Sequence, residues 1–407
     1  MSERAPGAGP RAASLGTLFF TVFLDLLGFG LVIPFLPGLA RDLGAGDFVA
    51  TLPGAAYSLM QFLFIPIWGR LSDRVGRRPV LLWSIAASAA GMVMLGLGHS
   101  LAWLFIARLW SGVATANIAV AQAYIADVTT PETRARGMGL IGMAFGLGFI
   151  FGPAVGGVLS RTPFAGLHIG ALPALVAAAL STVNLLLALR TLPESLPEAA
   201  RGQRLRRAVP LDLAAFRAAT RVPGVGVAVA LNFFVIVWFA GMEQTFRLFT
   251  DDAFGMTAAQ TGAIFAVVGV VGAAVQGGLV GRLARRHGEA RLVVAGVVIL
   301  AVAFALLGAS PFFGAGATFA LCAASGLIAL GNGVTAPSLP AYVSKRAGIT
   351  DQGLALGTLQ SASALGRVVG PALGGVLYAS FSPSTPYAVG AVGLLLAGVL
   401  AAARLPD

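Results

Sequence analysis

The sequence predicts an all-α membrane protein whose twelve transmembrane helices form two pseudo-symmetric six-helix bundles. Three observations predict it. Hydrophobic residues make up 57% of the 407-residue chain and charged residues only 11%, a balance that no water-soluble globule of this size carries. Apolar runs of about 20 residues, each enough to cross a ~30 Å hydrocarbon core at 1.5 Å per residue, recur between short charged or Gly/Pro-bearing turns. A sequence repeat then joins the first half to the second.

The expected spans are 14–38, 48–69, 79–98, 101–126, 135–159, 165–190, 224–249, 258–281, 291–309, 311–340, 350–379 and 384–404. Helices are expected because backbone groups in lipid must be satisfied within their own segment, and the runs lack the alternation of barrel strands. The first span follows a short Arg-containing start without a small-residue cleavage site, so it reads as a span and not as a removed signal peptide.

The formal charge of +11 is a topology signal rather than a nucleic-acid footprint. With the N-terminus in the cytoplasm, 22 of the 27 Lys/Arg fall in inside segments and three, Arg41, Arg161 and Arg247, outside. That imbalance predicts a plasma (inner) membrane protein with both termini cytoplasmic. The remaining two, Arg108 and Arg367, lie within spans.

The repeat is visible directly. GPAVGGVL at 152–159 returns as GPALGGVLY at 370–378, an offset of 218 that also carries Tyr124 onto Tyr342 and Gly139 onto Gly357. GRLSDRVGRR at 69–78 has a weaker echo in GRLARRHGEA at 281–290, at offset 212. The expected domains are a bundle at 1–190, a charged, proline-bearing cytoplasmic linker at 191–223 and a bundle at 224–407, with a substrate site between the bundles near the midplane. Gly148, Gly152 and Gly156, with Pro153 beside them, share one helix face, and Gly366, Gly370 and Gly374 repeat the pattern. Small residues at that spacing serve either close helix packing or a hinge.

WGRLSDRVGRRPVLL (68–82) resembles the loop signature between the second and third helices of major facilitator transporters. LDLLGFGLVIPFLP (24–37), IARLWSGVATANIAVAQAYIAD (106–127) and GLGFIFGPAVGG (146–157) resemble three motifs of the twelve-helix drug/proton antiporter branch, which includes tetracycline exporters. The resemblance spans about 14–404 and implies export. It also implies a latch role for Gly69, Asp73 and Arg77, a coupling role for Arg108, and an antiporter motif at Gly148, Gly152, Pro153 and Gly156. Tetracycline exporters would imply acidic residues in the third and ninth helices; 79–98 and 291–309 contain none, so tetracycline is not the expected substrate.

The residues themselves suggest a mechanism. Asp73 among Arg70, Arg74, Arg77 and Arg78, with Asp127 at the same level, forms a mixed-charge cluster that either latches the bundles in one state or anchors the topology. Charges inside spans cost about 2.5–3.5 kcal/mol each and need partners or a wet cavity. Asp25 and Arg108 lie at similar depth, so a proton carrier with its modulator is expected, or else a permanent ion pair. Glu243 and Arg367 both reach the outer half and can form a second pair, although Glu243 with Arg247 one turn later is the simpler partner set. Candidate cavity residues are Tyr57, Gln61, Asn117, Gln122, Phe145, Asn232, Phe234, Trp238, Gln276, Asn332 and Gln360, any one of which can instead be interhelical glue or packing.

An aromatic, mildly polar cavity suits lipophilic or amphiphilic compounds. The expected function is a monomeric secondary exporter exchanging small lipophilic substrates for protons in the lipid bilayer, with a lipid or lysolipid flippase, or a metabolite exporter of the same fold, as the alternative. Neither nucleic acid, metal nor cofactor is expected: there is no GxxxxGK[ST] loop, Cys322 is the sole cysteine, and His99, His168 and His287 sit at loops or span ends without ligand or triad spacing. For the same reason an enzyme is not expected.

Overall fold

The computed structural model describes residues 9–115, 118–129, 144, 147–148, 151–153, 155–160, 166–168, 170–198, 201, 217 and 222–405. These residues form helices and no strand. Among the described residues seven helical stretches are long and apolar enough to cross a membrane, and the one from Glu289 to Ala347 breaks at Gly314 (φ 54°, ψ -123°) into two crossings.

In the first bundle, α1 (Gly9–Val32) gives way at a 3₁₀ turn over Ile33–Phe35 to α2 (Leu36–Asp42). Pro34 enforces the break, because proline supplies no N–H to the ladder. Next, α3 (Asp47–Val75) is followed by α4 (Arg77–Leu97) with Gly76 alone between them. At 29 residues, α3 is about 44 Å long and projects well beyond a ~30 Å core. Gly76 has φ 108°, which favours glycine, and a Cβ there would strike the Glu194 carboxylate. Helices α5 (Leu101–Ala114) and α6 (Ile118–Val128) together make the fourth crossing, and α7 (Ala171–Thr191) makes the sixth. The expected fifth crossing lies largely outside the described residues, as does most of the 191–223 linker.

The second bundle begins with α8 (Val225–Phe254), which ends at Gly255 with φ 61°. Helix α9 (Ala258–Ala274) opens on a capping box between Thr257 and Gln260, passes through a π-helical turn at Val275–Leu279 and continues as α10 (Val280–His287). Gly288 (φ 80°, ψ 159°) then starts α11 (Glu289–Ala309). It is the offset-212 counterpart of Gly76 and has nearly the same conformation (φ 108°, ψ 159°), so the weak echo in sequence is a shared one-glycine turn.

The helical stretch α12 (Ala317–Ser380) holds two crossings. Gly331 packs on Gly296 and Lys345 pairs with Glu289, so this part runs antiparallel to α11. Further on, Ser363 meets Asn232 and Tyr378 meets Asp252, so that part runs parallel to α8. The chain therefore reverses between Lys345 and Ala355. Helix α13 (Thr385–Arg404) completes the bundle.

The repeated glycines are contact points. A Cβ on Gly30 of α1 would stand 2.7 Å from Gly148 O, and one on Gly152 would stand 2.6 Å from Gly30 Cα. The second bundle repeats this: a Cβ on Gly241 of α8 would stand 2.8 Å from Gly370 O, and one on Gly374 would be 3.1 Å from Gly241 Cα. Backbones approach this closely because lipid provides no hydrophobic drive between helices, leaving packing and small residues to hold them. Gly152→Leu and Gly370→Leu should each cost at least ~1–3 kcal/mol through overpacking. The measurement is the temperature at which detergent-purified protein loses its monodisperse gel-filtration peak; an unchanged temperature would exclude these contacts as supports of the fold.

Candidate functional site

Three helices of the first bundle converge on Tyr57 of α3. Its ring is 5% exposed and lies 4.5 Å beneath the Arg108 guanidinium of α5, with the Phe29 ring of α1 at 5.7 Å from the same charge. The Tyr57 and Thr115 hydroxyls share a 2.6 Å hydrogen bond, and Gln61 Nε2 donates to the Tyr57 hydroxyl at 3.4 Å. Asp25 and Arg367 lie within electrostatic reach of the same phenol. Tyr57 is thus a hub between ionisable groups of both bundles.

Arg108 is 1% exposed, and its Nε and Nη1 find no hydrogen-bond acceptor among the described residues. The expected Asp25–Arg108 ion pair is not what the structure forms: the guanidinium stacks on aromatic rings instead. Matching depth placed both residues at one height, but the facing direction around each helix decides contact. Cation–π stacking returns about 0.5–2 kcal/mol, less than the insertion cost of a buried cation. Arg108 therefore gains from any rearrangement that brings a carboxylate to it.

Glu243 and Arg367 interact electrostatically across α8 and α12. The simpler expectation for Glu243 does not hold, since Arg247 pairs with Asp251 at 3.2 Å and donates to Met256 O at 3.0 Å. Of the cavity candidates, Asn232 is glue within the second bundle, donating to Ser363 Oγ at 2.6 Å and to Leu359 O at 3.2 Å. Trp238 and Phe234 lie instead on the outer side of α8, near α13 or exposed. Trp238 packs on Gly390 and Gly393 of α13 and lines an apolar groove of about 470 Å³ with Ala388, Val389, Val392 and Leu396. Phe234, one turn away on the same face, is 48% exposed. Residue type on a helix that is apolar all round does not tell lipid side from cavity side. Gln122 and Asn332 are half-buried, Gln276 and Gln360 are exposed, and Asn117 and Phe145 lie outside the described residues.

The charged cluster at the Gly76 turn is knit tightly. Arg77, 7% exposed, meets Asp73 at 2.6 Å, Asp127 at 3.1 Å and Ser72 Oγ at 2.6 Å, joining α3, α4 and α6. Gly69 contributes its carbonyl to Ser72 Oγ at 2.7 Å. These contacts lie within the first bundle. Glu194, just past α7, was missed by sequence reasoning. Its carboxylate accepts from the N–H groups of Arg77 (2.8 Å), Arg78 (3.2 Å), Ser195 (3.0 Å) and Leu196 (3.0 Å). It caps α4 from outside that helix, where a negative charge and acceptor are both favoured. Ser195 Oγ donates to Asp127 at 3.1 Å and the Tyr124 hydroxyl to Pro193 O at 3.0 Å, fastening the start of the linker to the same cluster. No local pattern marks Glu194, because the helix it caps begins 117 residues earlier.

The sequence matches the profile of the Major Facilitator Superfamily over residues 18–308 and 251–407. The chain belongs to this superfamily. It is a multi-pass membrane transporter and not an enzyme. The tetracycline resistance protein of class C from Escherichia coli is 36% identical over 366 residues, covering 88% of each chain. The crystal structure of the human organic anion transporter MFSD10 (TETRAN) superposes with a TM-score of 0.74 at 26% identity, covering 96% of this chain and 99% of that one. The nucleoside transporter NupG shares the fold, with a TM-score of 0.75 at 15% identity over 97% of this chain and 99% of its own. The resemblance drawn from the motifs, and the fold that it implied, are both borne out.

Because this facilitator's α4 is capped by a charged acceptor worth ~1.5–3 kcal/mol, Glu194→Ala should accelerate hydrogen exchange at the Arg77 and Arg78 amides by roughly tenfold or more. Exchange followed by mass spectrometry gives the answer, and equal rates would show that the cap does not hold the turn.

Proposed function

We propose that the protein is a secondary active exporter that moves lipophilic or amphiphilic small molecules in exchange for protons by alternating access. The observation that carries this reading is the set of ionisable side chains inside membrane-crossing helices: Arg108, stacked on Tyr57, and Asp25 in the first bundle, with Glu243 and Arg367 in the second. Buried charge is retained at such cost where it moves protons or ions. The tetracycline resistance proteins among the relatives support export, and the 22-to-3 distribution of Lys/Arg supports a plasma-membrane orientation with the Gly76 turn and both termini cytoplasmic.

In this reading Asp25 carries the proton and Arg108 sets its affinity. When the carboxyl is neutral, Arg108 rests on Tyr57 and Phe29; when Asp25 is ionised, the guanidinium is drawn to it. Asp73, Arg77 and Asp127 with Glu194 hold the cytoplasmic end of the first bundle as one rigid side of the latch, and the Gly148, Gly152, Pro153 and Gly156 stripe supplies the tight pivot against α1. Neither 79–98 of α4 nor 291–309 of α11 carries an acidic residue, which favours a substrate other than tetracycline. The groove between α8 and α13 favours a second reading, flipping of a lipid or lysolipid, since an apolar recess on the bundle surface suits an acyl chain.

Proteoliposomes with an imposed pH gradient separate these readings. Lipophilic cations, neutral drugs or lysolipids added to the wild type should provoke proton flux, and Asp25→Asn should reduce that flux at least about tenfold, equivalent to ~1.4 kcal/mol, while binding persists. Compound movement without proton flux would favour flipping over exchange. Glu243→Gln and Arg367→Gln should each impair transport more than the double variant does, because a lone buried charge costs more than none. A double variant no better than either single one would dismiss that pair.

A further inference from the structure

Arg41, counted in the sequence only as an outside charge, stands on α2 at the face opposite the Gly76 turn. Its guanidinium crosses from the first bundle to the second. Nη1 and Nη2 donate to Oδ1 and Oδ2 of Asp252 on α8, each at 2.7 Å, the two-pronged geometry that a planar guanidinium makes with a carboxylate. Nε turns back to Asp47 Oδ1 at 2.8 Å, so an acid of its own bundle holds the side chain aimed. Asp252 is fixed likewise from its own side: the Tyr378 hydroxyl, near the end of α12, donates to Oδ2 at 2.6 Å, and the guanidinium lies 5.9 Å from the Tyr378 ring. The Asp252 hydrogen bond outweighs burial and raises Arg41 above its usual pKa, so this cation keeps its charge at any working pH.

The surroundings distinguish this pair from a surface ornament. Below it, Thr51 Oγ1 lies 2.9 Å from Pro371 O, Gly54 faces Gln244, and Gly157 stands against Gly262, where an added Cβ would be 2.9 Å from the opposing Cα. Each contact joins residues 1–190 to residues 224–407. The described hydrogen bonds and ion pairs between these two sets all lie at this face, whereas those of Arg77 stay within one bundle. The side chains of Arg41 and Asp252 are 22% and 33% exposed, so water can solvate both charges when they part. A fully buried pair would strand its charges and would not be reversible at low cost.

We infer that Arg41, Asp252 and Tyr378 form the gate at the face opposite the Gly76 turn, a bridge that breaks whenever the transport path opens there and re-forms when it closes. Rigid rotation of one bundle against the other separates residues 211 positions apart in sequence without disturbing either helix, which makes the pair a switch between two packings. Asp47 and Tyr378 are the positioning residues. Each keeps its partner pre-aimed while the gate is open, so closing needs no search by either side chain.

The test is a distance measurement. Spin labels at Gly46→Cys and Phe381→Cys, in a Cys322→Ser background, sit on the two bundles at this face, and electron–electron resonance reports the populations of closed and open separations in purified protein. Arg41→Ala and Asp252→Asn should each lower the closed-to-open ratio by roughly three- to tenfold, the range that a partly exposed bidentate pair supports. Tyr378→Phe, which removes one hydroxyl and leaves the ring, should shift it the same way by less. The reversed pair Arg41→Asp with Asp252→Arg should regain part of the closed population, limited by Asp47 then facing another acid. Unchanged distributions in all three single variants would overturn the inference. So would a reversed pair no better than Arg41→Ala, which would assign the loss to damaged helices. The readout needs neither substrate nor proton gradient, so it is decided independently of the export reading.

Discussion

Close contact between backbones is the constraint on which the rest of this structure depends. In water, helices are driven together by burying apolar surface; in lipid that drive is absent, and contact has to come from shape. The chain answers with the same device twice. The first helix of the first bundle, α1, lies against Gly148, Gly152 and Gly156, and the first helix of the second, α8, lies against Gly366, Gly370 and Gly374. Both pairs hold ionisable residues: Asp25 on α1, and Glu243 and Arg367 across the second contact. Helices that touch through glycine leave no slack, so the carboxyl groups they carry are held at fixed height and heading.

Charge is distributed by depth in a way that matches what each level can tolerate. At the centre, Arg108 is almost wholly buried and satisfied by rings rather than by acids. At the Gly76 turn, Arg77 is also buried but meets two carboxylates and a hydroxyl, and its helix start is capped by a third carboxylate. At the opposite face, Arg41 and Asp252 are paired yet hydrated. The centre is therefore poorly compensated, the turn is over-determined and the far face is paired while part-exposed. A transporter needs one level of each kind: a site whose charge state matters, a rigid frame, and a closure that opens.

The fold was legible because the bilayer imposes long apolar runs and the repeat duplicates them; even the faint echo at offset 212 proved to be a pair of matching glycine turns. The site was legible only in part. Depth along a span can be counted, which put Asp25 level with Arg108 and Glu243 level with Arg367. Rotation about the span cannot be counted when every face is apolar, so Arg108 met Tyr57 instead of Asp25, and Trp238 turned toward α13. Contacts made by residues far apart in sequence, such as Glu194 with the Arg77 amide or Arg41 with Asp252, carry no local pattern at all.

The π turn at Val275–Leu279 has a history written into its length. Helix α3 runs 29 residues from its cap at Gly46 to Gly76, while the corresponding crossing, from the cap at Thr257 to Gly288, holds one residue more. Gly30 and Gly241, which precede these crossings, are separated by 211 positions, and Gly76 and Gly288, which follow them, by 212. A π turn is the form in which a helix absorbs a single inserted residue without breaking. The two bundles thus descend in register up to this point and part company inside one helix. From there the basic end, Arg282 to Arg286, is rotated by about 100° relative to an uninterrupted helix. A single residue of extra length therefore gives the second bundle a differently facing inner edge from the first.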